Sequence, residues 1–175
     1  MTSPISKLRL LAIALMVATP FFCNAQDARM GQLIDQLVVS IDRSQPQAFL
    51  EGIAGLKRLE AMYPDAVAPK FYTTLEILNF SVLNPHAEQT ESMLEEVGRR
   101  IKDLETRKDM DQSDLNTLKG FLYMVRIVQD PAQNGRRYYM DVIKCYDKAL
   151  KLNPDNELAR GLQEKFLDGM SQSMQ

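Results

Sequence analysis

Tryptophan is absent, histidine occurs once, at His86, and cysteine twice, at Cys23 and Cys145. A histidine–cysteine zinc cluster therefore lacks its ligands, and a Cys–His or Ser–His–Asp nucleophile would rest on a single ring. Neither sign of charge prevails, with 21 basic and 23 acidic residues and a formal net charge of -2. That balance carries no electrostatic footprint for nucleic acid or an anionic membrane. Glycine and proline number eight each, which suggests neither a fibrous nor a disordered chain. No segment alternates apolar and polar residues with period two, and no glycine-rich phosphate loop is present. No metal and no cofactor is expected.

What the chain does have is one unusually apolar stretch, Gly120 to Val128, in which Arg126 is the only charge. A helix apolar on every side is normally enclosed by others, so this stretch predicts a central helix. A guanidinium inside it must find carboxylates or carbonyls, because an unpaired charge away from water is very costly.

Residues Met1 to Gln26 have the layout of a secretion signal. Lys7 and Arg9 precede an apolar run, Leu10 to Ala18, and a short polar-ended segment follows. Even extended through Phe22, the run includes Thr19 and Pro20 and falls short of the ~20 residues that span a bilayer. The expectation is a signal peptide over residues 1–25, cleaved after Ala25, with Gln26 as the other possible end. Phe22 before Cys23 argues against lipidation there, where a small residue is needed. Cleavage would remove Lys7 and Arg9 and leave 19 basic against 23 acidic residues, a net of -4. The mature chain would then lie in the periplasm or outside the cell, with Cys145 as an odd thiol and no transmembrane helix.

A single helical domain is expected over 26–170, with a frayed tail at 171–175. Met30, Leu33, Ile34, Leu37, Val38 and Ile41 form a first stripe ending near Ser44. Pro46 opens a second helix that stops at Tyr63-Pro64, and Gly52 and Gly55 within it point to close approach by a neighbour. A third helix starts about Pro69, buries Phe71, Leu75, Leu78 and Val82, and ends at Asn84-Pro85. A fourth, reaching about Arg107, buries Leu94, Val97, Ile101 and Leu104. Its other face pairs Glu95 with Arg99, Glu96 with Arg100 and Asp103 with Arg107, and reads as solvated. Ser113 or Asp114 is expected to cap the central helix. Gln129 to Gly135, with Pro131 and Asn134-Gly135, reads as a break. Tyr139, Val142, Ile143, Tyr146, Ala149 and Leu150 form a sixth helix ending at Asn153-Pro154, and Asp155 or Asn156 caps a last one.

Val142, Tyr146, Ala149 and Pro154 follow the spacing of the second helix of a tetratricopeptide repeat (TPR), and Gly120 and Tyr123 that of the first. The segment from Leu115 to about Leu167 resembles that family. It departs where Asn116 and Lys119 stand in place of Trp and Leu, and in a connection from Tyr123 to Val142 ten residues longer than usual. The insertion is similar to one in secreted TPR-like proteins of Bacteroidetes. The resemblance implies an all-α, short right-handed superhelix of about three antiparallel helix pairs with a C-terminal capping helix.

Asp109-x-Asp111-x-Ser113 lacks the turn glycine of an EF-hand, and Glu95 and Glu96 diverge around their helix, so neither calcium binding nor paired-carboxylate catalysis is expected. The remaining constellation is Tyr123, Arg126, Asp130, Arg136, Arg137, Tyr138 and Tyr139. In one reading Arg126 pins the long connection through Asp130 or backbone carbonyls, with tyrosines packed over it. In the other, arginines and tyrosines form a surface that recognises an acidic group such as a peptide carboxylate. The function expected is a non-enzymatic interaction module of the bacterial envelope that holds a protein or peptide, with no nucleic acid as partner. The alternatives are a small envelope hydrolase or transferase using His86 or Cys145, and a structural homo-oligomer subunit.

Overall fold

A computed structural model describes residues 19–173, and side chains for 26–171. Seven helices and no strand occur among the described residues: α1 (Thr19–Ser40), α2 (Pro46–Met62), α3 (Val67–Leu83), α4 (Thr90–Glu105), α5 (Gln112–Gln129), α6 (Pro131–Leu152) and α7 (Glu157–Ser173). None of these helices is long and apolar enough to cross a membrane. The fold is all-α. The basic and apolar parts of the expected signal, up to Ala18, lie outside the described residues, and α1 runs without a break past Ala25.

The chain divides into two compact units after Ser40. The first contains α1, which ends four residues before the Ser44 expected from its stripe. The second contains α2 to α7. Within it each helix packs on the next in sequence, and α5 also packs on α3 and α7. That places α3 and α5 inside, and their composition agrees, each burying ten residues.

Helix ends follow from local chemistry. Pro46 is in the first turn of α2, where its missing N–H is harmless, and the helix ends at Tyr63 ahead of Pro64. Asp111, rather than Ser113 or Asp114, caps α5, accepting the Asp114 N–H at 2.9 Å. Ser113 turns inward instead and donates its hydroxyl to the Ala149 carbonyl at 2.8 Å. Asn156, buried at the start of α7, accepts the Ala159 N–H and donates to Ser113 Oγ at 2.8 Å and Asp114 Oδ1 at 3.0 Å. The amide thus ties α7 to α5, and the Ser113 hydroxyl ties α5 to α6. Burial and the nearby charge of Asp111 push the Asp114 carboxyl up.

The largest departure from expectation is at 129–135. Asp130 alone is non-helical; it accepts the Gln133 N–H at 3.0 Å, and Pro131 occupies the first turn of α6. Asp-Pro acts here as an N-cap and opening turn, and this start signal overrides the Asn-Gly turn chemistry. Gly135 is carried inside the helix at a cost of about 1 kcal/mol. Asn134 offsets part of it by donating to the Arg126 carbonyl at 2.7 Å. Residues 129–135 therefore continue a helical hairpin and do not form a loop.

The polar side of α4 is only partly solvated. Glu95–Arg99 is long, at 4.0 Å, and exposed. Arg100 is 14% exposed and bonds Glu96 at 2.7 Å and Glu60 of α2 at 2.7 Å, while Lys57 reaches Glu96 at 2.8 Å. Asp103 turns to Lys70 of α3, and Arg107 to Asp109 and the Asp65 carbonyl, so the expected Asp103–Arg107 pair does not form. Neighbouring helices supply the competing partners, which spacing along one helix could not reveal. Burial raises the Glu96 carboxyl, but hydrogen bonds from Lys57 and Arg100 outweigh it and hold it below its ordinary value of 4.5.

A depressed acid contributes stability above its unfolded pKa and loses it as pH falls through the folded one. Glu96→Gln is expected to lower stability by about 1 kcal/mol at neutral pH, with a deficit that closes on acidification below 4.5. Urea midpoints measured across pH check this; a deficit constant with pH would contradict it.

Candidate functional site

The hairpin of α5 and α6 sets the site. Gly120 lies under Tyr146: a Cβ built on it would sit 2.8 Å from Tyr146 Cε1. Tyr146 is fully buried, with Val142 and Ala149 beside it on the same face of α6. Its hydroxyl meets Met124 Sδ at 3.9 Å, and burial pushes its pKa well above the phenol range. The missing side chain at Gly120 is thus what lets the two helices close on that ring, and it fixes how Tyr123 on α5 faces Tyr138 on α6.

The rings of Tyr123 and Tyr138 are stacked, 5.3 Å apart at 19°. Arg137 lies over the Tyr138 ring at 5.0 Å, a cation–π arrangement. Arg137 is exposed and both tyrosines half-buried, so the three make a ladder running from the hairpin interior to solvent. Arg136, the preceding residue of α6, is exposed, on a different face of the helix from Tyr138. Burial, with Cys145 and Asp141 nearby, pushes the Tyr123 phenol up, so it stays a neutral hydrogen-bond donor at physiological pH.

Two other members of the constellation face elsewhere. Tyr139 packs against Phe166 of α7, with centroids 5.5 Å apart. Arg126 pairs with Glu91, in the first turn of α4, at 2.5 Å, and with Gln129 at 3.1 Å. Its hydrogen bond holds the Glu91 carboxyl below the usual carboxylate range. It is the Arg126 carbonyl, not the guanidinium, that the following segment engages, through Asn134 and the Asp130 N–H. The guanidinium thus pins the connection neither through Asp130 nor through backbone carbonyls, contrary to that expectation, and instead joins α5 to α4 through Glu91. Because α4 and α5 are antiparallel, the start of one meets the end of the other, and that topology is the signal that would have found Glu91.

Cys145 is half-buried, and burial pushes its thiol up, opposite to what activates a nucleophile. His86 is exposed in the turn between α3 and α4. Among the described residues no group of three His, Cys, Asp or Glu side chains could hold a metal ion. The described residues form an all-helical fold, with a tyrosine–arginine group on the surface of the α5–α6 hairpin. No protein family, curated protein or solved structure matches the chain.

Proposed function

We propose that this protein is a non-enzymatic, exported TPR-like interaction module of a bacterial envelope, and that the ladder of Tyr123, Tyr138 and Arg137 grips an acidic group of a protein partner, with the neighbouring Arg136 adding positive charge. The observation that carries this is the ladder itself. A guanidinium placed over one ring of a stacked pair is positioned to meet a carboxylate, and arginine and tyrosine dominate binding hot spots. The repeat reading is supported by the burial of Val142, Tyr146 and Ala149 as one stripe, by Gly120 under the aromatic, and by α5 packing on α3 and α7. Export rests on the amino-terminal pattern of Lys7, Arg9 and Leu10 to Ala18.

The test is affinity capture from envelope extracts with the intact chain and with the Arg136→Ala/Arg137→Ala variant. Both arginines are exposed, so the melting temperature should hold while the captured partner falls by about tenfold. Undiminished capture at an unchanged melting temperature would dismiss the ladder. Recovery of nothing, alongside turnover of a small substrate, would overturn the whole assignment.

A further inference from the structure

A second, chemically different feature lies at the turn of the hairpin, just beyond the ladder on the same two helices. Where α5 ends and α6 begins, the two helices and the last turns of α7 leave an open cavity of ≈ 260 Å³. Met124, Ile127, Phe166 and Met170 form its apolar walls, Gly169 contributes no side chain, and Lys165 stands at the rim. Val128, also in the lining, is 39% exposed, so apolar surface continues from the cavity to solvent.

Size selects the class of occupant. A cavity of about 150 Å³ lined by aliphatic and aromatic side chains takes up benzene, whereas pockets for drug-sized molecules start at about 300 Å³. The space here is enough for one large side chain of a protein segment. Two methionines in the walls give a surface that adapts to such an anchor. Lys165 is exposed and joins no ion pair among the described residues, so the one charge at the rim is available to an anion.

We propose that this cavity receives a phenylalanine or leucine side chain of a protein partner, with an adjacent aspartate or glutamate of that partner meeting Lys165. This extends the interaction-module reading, but stands on residues that the tyrosine–arginine ladder does not share.

The test uses the full chain with methyl-labelled methionine and follows the Met124 and Met170 signals by NMR. The probes are the capped dipeptide acetyl-Phe-Glu-amide, its neutral counterpart acetyl-Phe-Gln-amide, and decanoate. Acetyl-Phe-Glu-amide should shift both methyl signals, and acetyl-Phe-Gln-amide should bind about two- to fivefold more weakly, the weight of an exposed ion pair. Lys165→Gln should erase that difference. Gly169→Leu should abolish the shifts; a Cβ at Gly169 meets nothing within 4 Å, so the variant is expected to fold.

Absence of shifts at both methyls, shifts that survive Gly169→Leu, or equal binding of the two dipeptides would overturn the proposal. Tighter binding of decanoate than of either dipeptide would do so too, in favour of a lipid chain. The Arg136→Ala/Arg137→Ala variant should keep every shift, so failure of the ladder and failure of the cavity are read separately.

Discussion

Arg43→Ala is expected to lower the stability of the protein by about 3 kcal/mol, although Arg43 sits in a surface connection between α1 and α2. Its partner is the reason. Glu76 lies in the middle of α3, among Leu75, Ile77 and Leu78, and its side chain is 3% exposed. Arg43 reaches it with two prongs, Nε to Oε2 at 3.1 Å and Nη2 to Oε1 at 2.7 Å, while lying over the Phe49 ring at 5.7 Å. Removing the guanidinium leaves a carboxylate facing an aromatic core in which Phe49 and Phe80 meet edge to face at 5.5 Å. Breaking a buried pair from one side costs roughly 3–5 kcal/mol, and the partial exposure of Arg43 places this case at the lower end.

Glu76→Gln placed in the Arg43→Ala background should recover part of the loss, because a lone amide is less costly to bury than a lone charge. Urea unfolding of the two variants checks both statements. A loss below about 1 kcal/mol for Arg43→Ala would mean that the pair behaves as an exposed one.

Tyr146→Ala is expected to cost about 3–5 kcal/mol, the range for deleting a large buried aromatic side chain. The ring is fully buried and fills the gap above Gly120, and α6 buries little else beyond Val142 and Ala149. Losing it should loosen the hairpin and with it the stack of Tyr123 on Tyr138, so partner capture should fall together with the melting temperature. Tyr138→Ala separates the two effects, since that half-buried ring belongs to the ladder and not to the core.

The helix inventory was legible because the apolar stripes repeat every three or four residues and because proline marks most ends. Pro46, Tyr63-Pro64 and Asn84-Pro85 all fall at observed boundaries. Less legible was which charge is buried. The most apolar stretch holds a lone arginine, yet the Arg126 side chain is 23% exposed and reaches Glu91 in the first turn of α4. Glu76 sits one residue off the stripe of Phe71, Leu75, Leu78 and Val82, and a single stripe does not reveal that α3 is enclosed on its other faces as well.

Asn134-Gly135 signals a turn that does not form, because its preference is worth about 1 kcal/mol, less than two helices gain by continuing to pack side by side. Of the tyrosine–arginine constellation, the nearness of Tyr123, Arg137 and Tyr138 follows from the hairpin. The turning away of Tyr139 to Phe166 and of Arg126 to Glu91 depends on α7 and α4, whose placement no local pattern encodes.

Everything proposed for the α5–α6 surface depends on the two helices meeting where Gly120 admits the Tyr146 ring. A stability cycle between these two residues tests that contact most directly. In the natural background Gly120→Ala should destabilise by about 1–3 kcal/mol, because the new methyl would sit too close to a fully buried ring. In the Tyr146→Ala background the same change should stabilise, by up to about 1 kcal/mol, as alanine's helix preference acts without the clash. An effect of Gly120→Ala equal in sign and size in both backgrounds would contradict the contact, and with it the hairpin geometry on which the ladder is built.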